Sequence, residues 1–206
     1  MYKLKRIEIA LMFGVLVALV WGGVTVRAQG ELAGSLLRLH VIANSDTAAD
    51  QANKLAVRDE ILALVAQLGS QAGSVGEMEK ILTSNLPQLA AAGEQTLRAR
   101  GCGQTVTAQL ADCYFPTKAY EGFALPAGEY RCLRIVIGEG EGRNWWCVAF
   151  PPLCVGASAE RVQEYAQAGF FTQEQGDFLA GQGEHYILKF KSMELLGAVK
   201  ERFFRD

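Results

Sequence analysis

The residues of this chain best suited to chemistry are a histidine and two carboxylates that lie close together in sequence, His40, Asp46 and Asp50. A histidine oriented by a carboxylate can act as the general base of a hydrolase. Such an enzyme also needs a nucleophile, and no serine or cysteine lies in a recognisable nucleophile-elbow or helix-start motif. The residues therefore favour a protein without catalytic activity, and an exported hydrolase that uses His40 with a nearby carboxylate is the alternative.

The same region contains three aspartates, Asp46, Asp50 and Asp59, whose oxygens are suitable ligands for a hard metal ion. Their spacing lacks the regular alternation of a calcium-binding loop. The sequence also has only two histidines and no Cys-x-x-Cys pair, which argues against a zinc site. We therefore predict neither a metal nor a cofactor.

A strand–turn–helix unit at residues 36–62 must position these side chains. Apolar and polar residues alternate from Leu37 to Val41, which predicts a strand with one apolar and one polar face. Asn44 and Asp46 then end the strand, because their side chains can bond their own backbone. Asp50 occupies the fourth position of a capping-box-like helix start, and an amphipathic helix follows.

Further helices and strands are predicted along the chain. The capping box Ser74-Val75-Gly76-Glu77 begins a second helix, and Pro87 is expected in the first turn of a third. From Gln104 the apolar period becomes two, which predicts strands. Ser158 is expected to cap a short helix, and a last strand is predicted from Tyr186 to Phe190, before a closing helix.

The strongest β segment runs from Glu129 to Ile137. We interpret Gly138 to Gly142 as a flexible turn and Asn144 to Phe150 as the hairpin partner of that strand. The whole order of elements predicts a single α+β domain, with a mostly antiparallel sheet of about four to five strands and several packed helices.

Two pairs of neighbouring residues are candidates for a contact surface. Arg58 and Asp59 form a charged pair on the first helix that faces solvent or neighbouring loops. Trp145 and Trp146 are adjacent on a strand, so their rings must point to opposite faces. One ring can fill the core while the other anchors a partner, although helices that cover both rings are an equally good interpretation.

Five cysteines lie after the N-terminal segment, so at least one thiol stays unpaired within the chain. Cys147 and Cys154 flank the Pro151-Pro152 bend, which could bring the two sulfur atoms close enough to bond. Cys113 and Cys132 are a second candidate pair, which leaves Cys102 as the unpaired cysteine.

The first 28 residues have the layout of an export signal, with three basic residues before an apolar stretch from Ile9 to Val26. An uncleaved membrane anchor at residues 7–26 is the alternative. We therefore divide the chain into residues 1–28, a signal peptide or anchor, and residues 29–206, an exported domain. The net charge of −2 predicts no binding to nucleic acid.

Two long motifs in this sequence resemble the stage II sporulation protein R family of endospore-forming bacteria. The first is LRLHVIANSD…DQ…KLAVRDEIL, and the second is FPTKAYEGFALPAGEYRCLRIVIGEGEGRNWWCVAFPPLC. The resemblance implies a protein secreted from the forespore into the space between the two sporulation membranes. It also implies a membrane-embedded aspartic protease of the mother cell as partner, which the protein activates to process the sigma-E precursor.

The resemblance supplies no catalytic residues, which agrees with the missing nucleophile, and it implies no small-molecule substrate. Cys113 and Cys132 depart from the family motifs, which argues against a bond between them. We expect the strand–turn–helix unit and the tryptophan pair to be recognised by the protease. The candidate partner-binding residues are Arg38, His40, Asn44, Asp46, Asp50, Arg58, Asp59, Trp145 and Trp146.

Overall fold

A computed structural model describes residues 9, 11–17, 27, 29–120, 123–154 and 158–180. The chain divides into two units, Met1–Leu32 and Ala33–Asp206. In the first unit, the described residues are helical, and Arg27 Nε donates to Glu31 Oε1 at 3.0 Å. Among the described residues, none of the helices has the length and apolar character needed to cross a bilayer. Most of the predicted export segment lies outside the described residues.

The second unit begins with the predicted strand–turn–helix unit. Strand β1 spans Leu37–Ile42, and helix α1 spans Ala48–Leu68. Thr47 is the N-cap of α1, and its hydroxyl oxygen accepts from the backbone N–H of Asp50 at 3.2 Å. This bond satisfies one of the free N–H groups of the first turn, and the predicted helix start is confirmed.

The two helices predicted on either side of Pro87 are one helix, α2, which spans Val75–Ala99. Proline removes a backbone donor and is disfavoured inside a helix by about 3 kcal/mol. A buried stripe lies on both sides of the exposed Pro87, with Leu82 before it and Leu89 after it, and its burial outweighs that penalty. The stripe consists of Met78, Leu82, Leu89, Gly93 and Leu97.

Four strands form the main sheet of the described residues, with β1 as one of the two central strands. Strands β2 (Val106–Phe115), β5 (Gly128–Ile137) and β6 (Asn144–Phe150) join β1, which pairs parallel with β5 and antiparallel with β6. The predicted β5–β6 hairpin is therefore wrong, because β1 lies between the two strands. A strand that is buried on both faces, as β1 is, belongs at the centre of a sheet.

A two-stranded sheet and two short helices complete the described fold. Strands β3 (Lys118–Tyr120) and β4 (Phe123–Leu125) pair antiparallel with each other. Helix α3 (Ala159–Gln167) begins at Ser158 as predicted, and helix α4 (Gln173–Ala180) follows it. The predicted strand at 186–190 and the closing helix lie outside the described residues.

The hydrophobic core lies between the sheet and helices α1 and α2. Alternate residues of β1, β5 and β2 point to the helices, as the period of two requires. The predicted α+β class and the mostly antiparallel sheet are confirmed. The fully buried centre of this core includes Leu39, Val41, Val57, Ile61, Met78, Leu82, Leu133 and Ile135.

Candidate partner-binding surface

The end of β1 is fastened to the connection between β5 and β6. Because β1 lies between those strands, the six residues Gly138–Arg143 must cross over its carboxyl end. Asn44 holds them there: its Oδ1 accepts from the N–H of Glu139 at 3.0 Å, and its backbone oxygen accepts from the N–H of Glu141 at 3.1 Å. The turn at 44–50 and the crossover loop at 138–143 therefore form one unit.

Asp46 adds a second attachment. Its Oδ1 accepts from the backbone N–H of Arg143 at 2.7 Å and from Gln51 Nε2 at 3.3 Å. Lys54 approaches the same loop from α1, where its Nζ donates to the backbone oxygen of Arg143 at 2.9 Å. Burial lowers the pKa of the Lys54 ammonium, with the charge of Arg143 as a second cause.

Asp50 is a largely buried residue of the turn, with 9% of its surface exposed. Its carboxylate accepts from the Ser45 hydroxyl, from Asn44 Nδ2 at 2.9 Å and from Gln104 Nε2 at 3.0 Å. These donors, Ser45 above all, lower its pKa to about 2. The carboxylate thus joins the turn to the residue that leads into β2.

The crossover loop is ordered rather than flexible, and its glycines explain the difference from the prediction. Gly138 and Gly140 have positive φ angles of 55° and 69°, a region that other residues avoid. A Cβ at Gly142 would lie 2.3 Å from the backbone oxygen of Ser45. The alternation of glycine with Glu139 and Glu141 was the available signal, but it also fits a mobile turn.

Helix α1 and strand β6 bring Arg58 and Trp145 together, and the guanidinium lies 4.2 Å from the centre of the indole ring. Arg58 also donates to Asp59 Oδ1, with Nε at 2.8 Å and Nη2 at 2.7 Å. Asp59 is 58% exposed, whereas most of Arg58 is covered. The predicted charged pair exists, and the tryptophan is partly shielded by a cation rather than by an apolar helix face.

Arg38 lies on the opposite face of the sheet and is fully buried. Its guanidinium carbon is 4.1 Å from the centre of the Phe115 ring and 4.9 Å from that of Tyr130. Nε donates to the backbone oxygen of Cys147 at 2.9 Å, and Nη2 donates to the Tyr120 hydroxyl at 3.0 Å. Burial lowers the pKa of Arg38, and this side chain fastens the β3–β4 hairpin over the sheet.

His40 lies next to Arg38 on that face and is 7% exposed. Its ring stacks on Trp146 with centroids 3.7 Å apart, and its Nε2 is 2.9 Å from Asn144 Oδ1. Burial lowers its pKa to about 4. The partner of His40 is an amide, so the histidine–carboxylate pair that the hydrolase requires is not formed with Asp46 or Asp50. The two tryptophans do point to opposite faces, as predicted.

Both candidate disulfides are present. Cys147 and Cys154 bond across the Pro151-Pro152 bend, as predicted from their spacing. Cys113 and Cys132 also bond, so the argument against this pair is wrong. They lie on the paired strands β2 and β5 with their Cα atoms 6.3 Å apart, a proximity that only the strand register reveals. Cys102 is the free cysteine among the described residues.

Within the described part of the chain, no group of three or more histidine, cysteine, aspartate or glutamate side chains is arranged to hold a metal ion. Asp46, Asp50 and Asp59 are instead engaged separately, with Arg143, Gln104 and Arg58 respectively. These contacts are structural. Chemically, the region presents a set of fixed polar groups.

Known proteins resemble this chain over the region just described. The family model for Stage II sporulation protein R matches residues 33–160, a range that holds every candidate partner-binding residue. The Stage II sporulation protein R of Bacillus subtilis (strain 168) is 33% identical over 147 residues. That alignment covers 70% of this chain and 66% of the relative, so the chain spans slightly less than two thirds of the relative's length. No solved structure matches the chain significantly.

Proposed function

The chain belongs to the stage II sporulation protein R family, and from this membership we propose that it is a non-enzymatic signalling protein of endospore formation. It is exported from the forespore into the space between forespore and mother cell. There it binds a membrane-embedded aspartic protease and activates it, which starts the processing of the sigma-E precursor. The N-terminal segment directs export and, if it is not cleaved, also anchors the protein.

The observation that carries the proposal is the ordered unit formed by the turn and the crossover loop. We call the turn at 44–50, the loop at 138–143 and the Arg58–Asp59–Trp145 group the recognition surface. Asp46, Glu139, Glu141 and Arg143 are exposed there, while backbone bonds hold the segments that carry them. A surface fixed before binding loses little conformational entropy when a partner docks, which favours a role in recognition.

The candidate residues take two roles in this proposal. We propose that Asp46, Asp59 and the exposed part of Trp145 contact the protease directly, because all three are accessible to solvent. Arg38, His40 and Asp50 are buried, so they act by holding the surface in shape. Asn44 does both, because it is half-buried and fastens the loop.

The proposal is tested by co-expressing the full-length protein with the protease and the sigma-E precursor in a host that does not sporulate. Precursor cleavage is measured as the ratio of the two bands on an immunoblot. Cleavage is expected only when all three proteins are present. Asp46→Ala should reduce it at least about tenfold, because an interfacial hot spot contributes about 2 kcal/mol or more.

A matched control replaces an exposed carboxylate elsewhere, Glu164→Ala on α3, and should leave cleavage unchanged. The secreted amount and the unfolding midpoint of each variant separate lost binding from lost folding. Full cleavage by a well-folded Asp46→Ala and Arg58→Ala pair would remove the recognition surface from the proposal. Cleavage without this protein would remove the signalling role itself.

A further inference from the structure

The outer edge of β2 has backbone groups that point away from the sheet. The N–H of Gly138 donates to the backbone oxygen of Thr105 at 2.9 Å, so Thr105 faces β5. Backbone groups alternate in direction along an antiparallel strand, and those of Val106, Ala108, Leu110 and Asp112 therefore point outward. The N–H of Val106 donates a hydrogen bond to Glu94 Oε1 at 3.4 Å.

The outward groups of Ala108, Leu110 and Asp112 have no hydrogen-bond partner among the described residues, where β2 pairs with β5 alone. Proteins usually protect such an edge with a bulge, a proline or a lysine. Over ten residues in unbroken register with β5, strand β2 has no bulge, proline or lysine, and Asp112 is its single charged residue. A bond between Cys113 and Cys132 also fastens it to its neighbour.

The other edge of the sheet differs. Side chains of Arg38 and Tyr120 donate to the backbone oxygens of Cys147 and Trp146 in β6. The strand ends at Phe150, and the next residue, Pro151, has no N–H with which to extend a ladder. Its pairing with β1 also shifts register near Arg38. Within the described fold, β2 is therefore the edge that is ready to accept another strand.

We propose that the outer edge of β2 binds an extended segment of another protein, which adds to the sheet as a further strand. The position of helix α2 favours this occupant over a second copy of the chain. It approaches β2 so closely that a Cβ at Gly93 would lie 3.0 Å from Val106 Cγ1. The helix therefore occupies space beside the edge. A single added strand fits there more readily than a second copy of the chain, whose sheet carries its own helices.

The side chains along the edge define the chemistry of the segment. Ala108 and Leu110 are partly buried on the helix side, together with Leu86 of α2, so the segment places apolar residues there at alternate positions. Thr107 and Gln109 are exposed on the other side and match polar residues. Asp112 is the only charged residue of β2, and its Oδ1 lies 3.5 Å from Arg131 Nη1. Its side chain is still 73% exposed, so a lysine or arginine of the segment can lie beside it as well.

The probe for this inference is a pool of labelled peptides of about nine residues, near the length of β2. Valine, leucine or tyrosine alternates with threonine or lysine in each peptide. The full-length protein in mild detergent should bind members of the pool saturably. Hydrogen exchange should then slow at the amides of Ala108, Leu110 and Asp112, which exchange quickly without peptide. The amides of Thr107 and Gln109, which face β5, should be slow in both states.

N-methylation of the best peptide provides a control that leaves the protein unchanged. Methyl groups on the amides that face β2 should weaken binding at least about tenfold, since each methyl group removes a backbone hydrogen bond to the edge. Methyl groups on the alternate amides should have little effect. Leu110→Pro removes an outward donor that the ladder with β5 does not use, so this variant should fold and bind poorly.

Three results would overturn the inference: no binding from the pool, equal binding by both methylated peptides, or slow exchange at Leu110 before peptide is added. A stable dimer in light scattering would assign the edge to a second copy instead. The edge residues lie outside the recognition surface, so none of these four results affects the signalling assay of Asp46→Ala, which remains an independent test of the proposed function.

Discussion

Arg38 and His40 illustrate how a polar pattern can serve the interior of a protein. The sequence places both on the polar face of β1, where exposure is the ordinary expectation. Aromatic rings instead cover them: Phe115 and Tyr130 beside Arg38, and Trp146 on His40. A buried cation is costly unless hydrogen bonds compensate it, and Arg38 has bonds to Tyr120 and to a backbone oxygen of β6. It therefore joins three strands at one point.

His40 should make stability depend on pH in a defined window. Its pKa is about 4 in the folded protein and 6.5 in an unfolded chain. Between these values the unfolded state binds a proton that the folded state excludes, so stability falls as the pH falls. From pH 7 to pH 5 the loss should be about 2 kcal/mol, read from urea-unfolding midpoints.

His40→Gln is the matching variant, because glutamine can still donate to Asn144 but does not titrate in this range. Its unfolding free energy should be flatter between pH 5 and pH 7, although lower overall. Asp50 acts in a separate window: its pKa is lowered to about 2, so its contribution is complete above about pH 4 and is lost below it. Equal slopes for the variant and the native protein between pH 5 and pH 7 would contradict the role of His40.

At the scale of elements, the crossover loop is a consequence of where β1 lies. A short connection between β5 and β6 ordinarily closes a hairpin, but here it spans the width of an inserted strand. It does so by bonding to the end of β1 through Asn44 and Asp46. The central strand and the exposed loop are thus parts of one assembly, so a substitution in the loop should also destabilise the end of β1.

Gly138→Ala tests that assembly. The residue has φ of 55°, and the new Cβ would lie 2.2 Å from Asn44 Oδ1. The change should displace Asn44, release the N–H of Glu139 and lower the unfolding free energy by about 1–3 kcal/mol. Gly103→Ala is the matched control, with no atom within 4 Å of its added Cβ, and should change stability by less than about 0.5 kcal/mol. Similar melting temperatures for the two variants would show that the loop is not fastened as described.

Features set by neighbouring residues could be predicted from the sequence, whereas features set by residues far apart in the chain could not. The start of α1 at Thr47, the opposite directions of Trp145 and Trp146, and the bond between Cys147 and Cys154 all follow from a few neighbouring residues. The parallel pairing of β1 with β5 joins segments nearly a hundred residues apart, and no turn residue encodes it. The contacts of His40 and the bond of Cys132 depend on that arrangement, so the sequence pattern alone could not supply them.

At the scale of the whole molecule, the two disulfides make the stability of the fold depend on the compartment that the protein occupies. One bond joins the edge strand β2 to β5, and the other closes the bend after β6, with sequence separations of 19 and 7. In the chain-entropy view, each such cross-link stabilises the folded state by about 2–3 kcal/mol. Bonds of this kind persist in oxidising compartments and are rare in the cytosol. The fold therefore gains stability only where the proposed signal acts.

The thiol count of the recovered protein tests this link. Of five cysteines, four are bonded, so the exported protein denatured without reductant should accept one maleimide label, on Cys102. After reduction it should accept five, and Cys102→Ser should accept none before reduction. A variant retained in the cytosol by charges in the apolar segment, such as Leu16→Arg with Val17→Asp, should accept five without reduction. Labelling is read as mass shifts on a gel, and an exported protein with three or more free thiols would contradict the paired state.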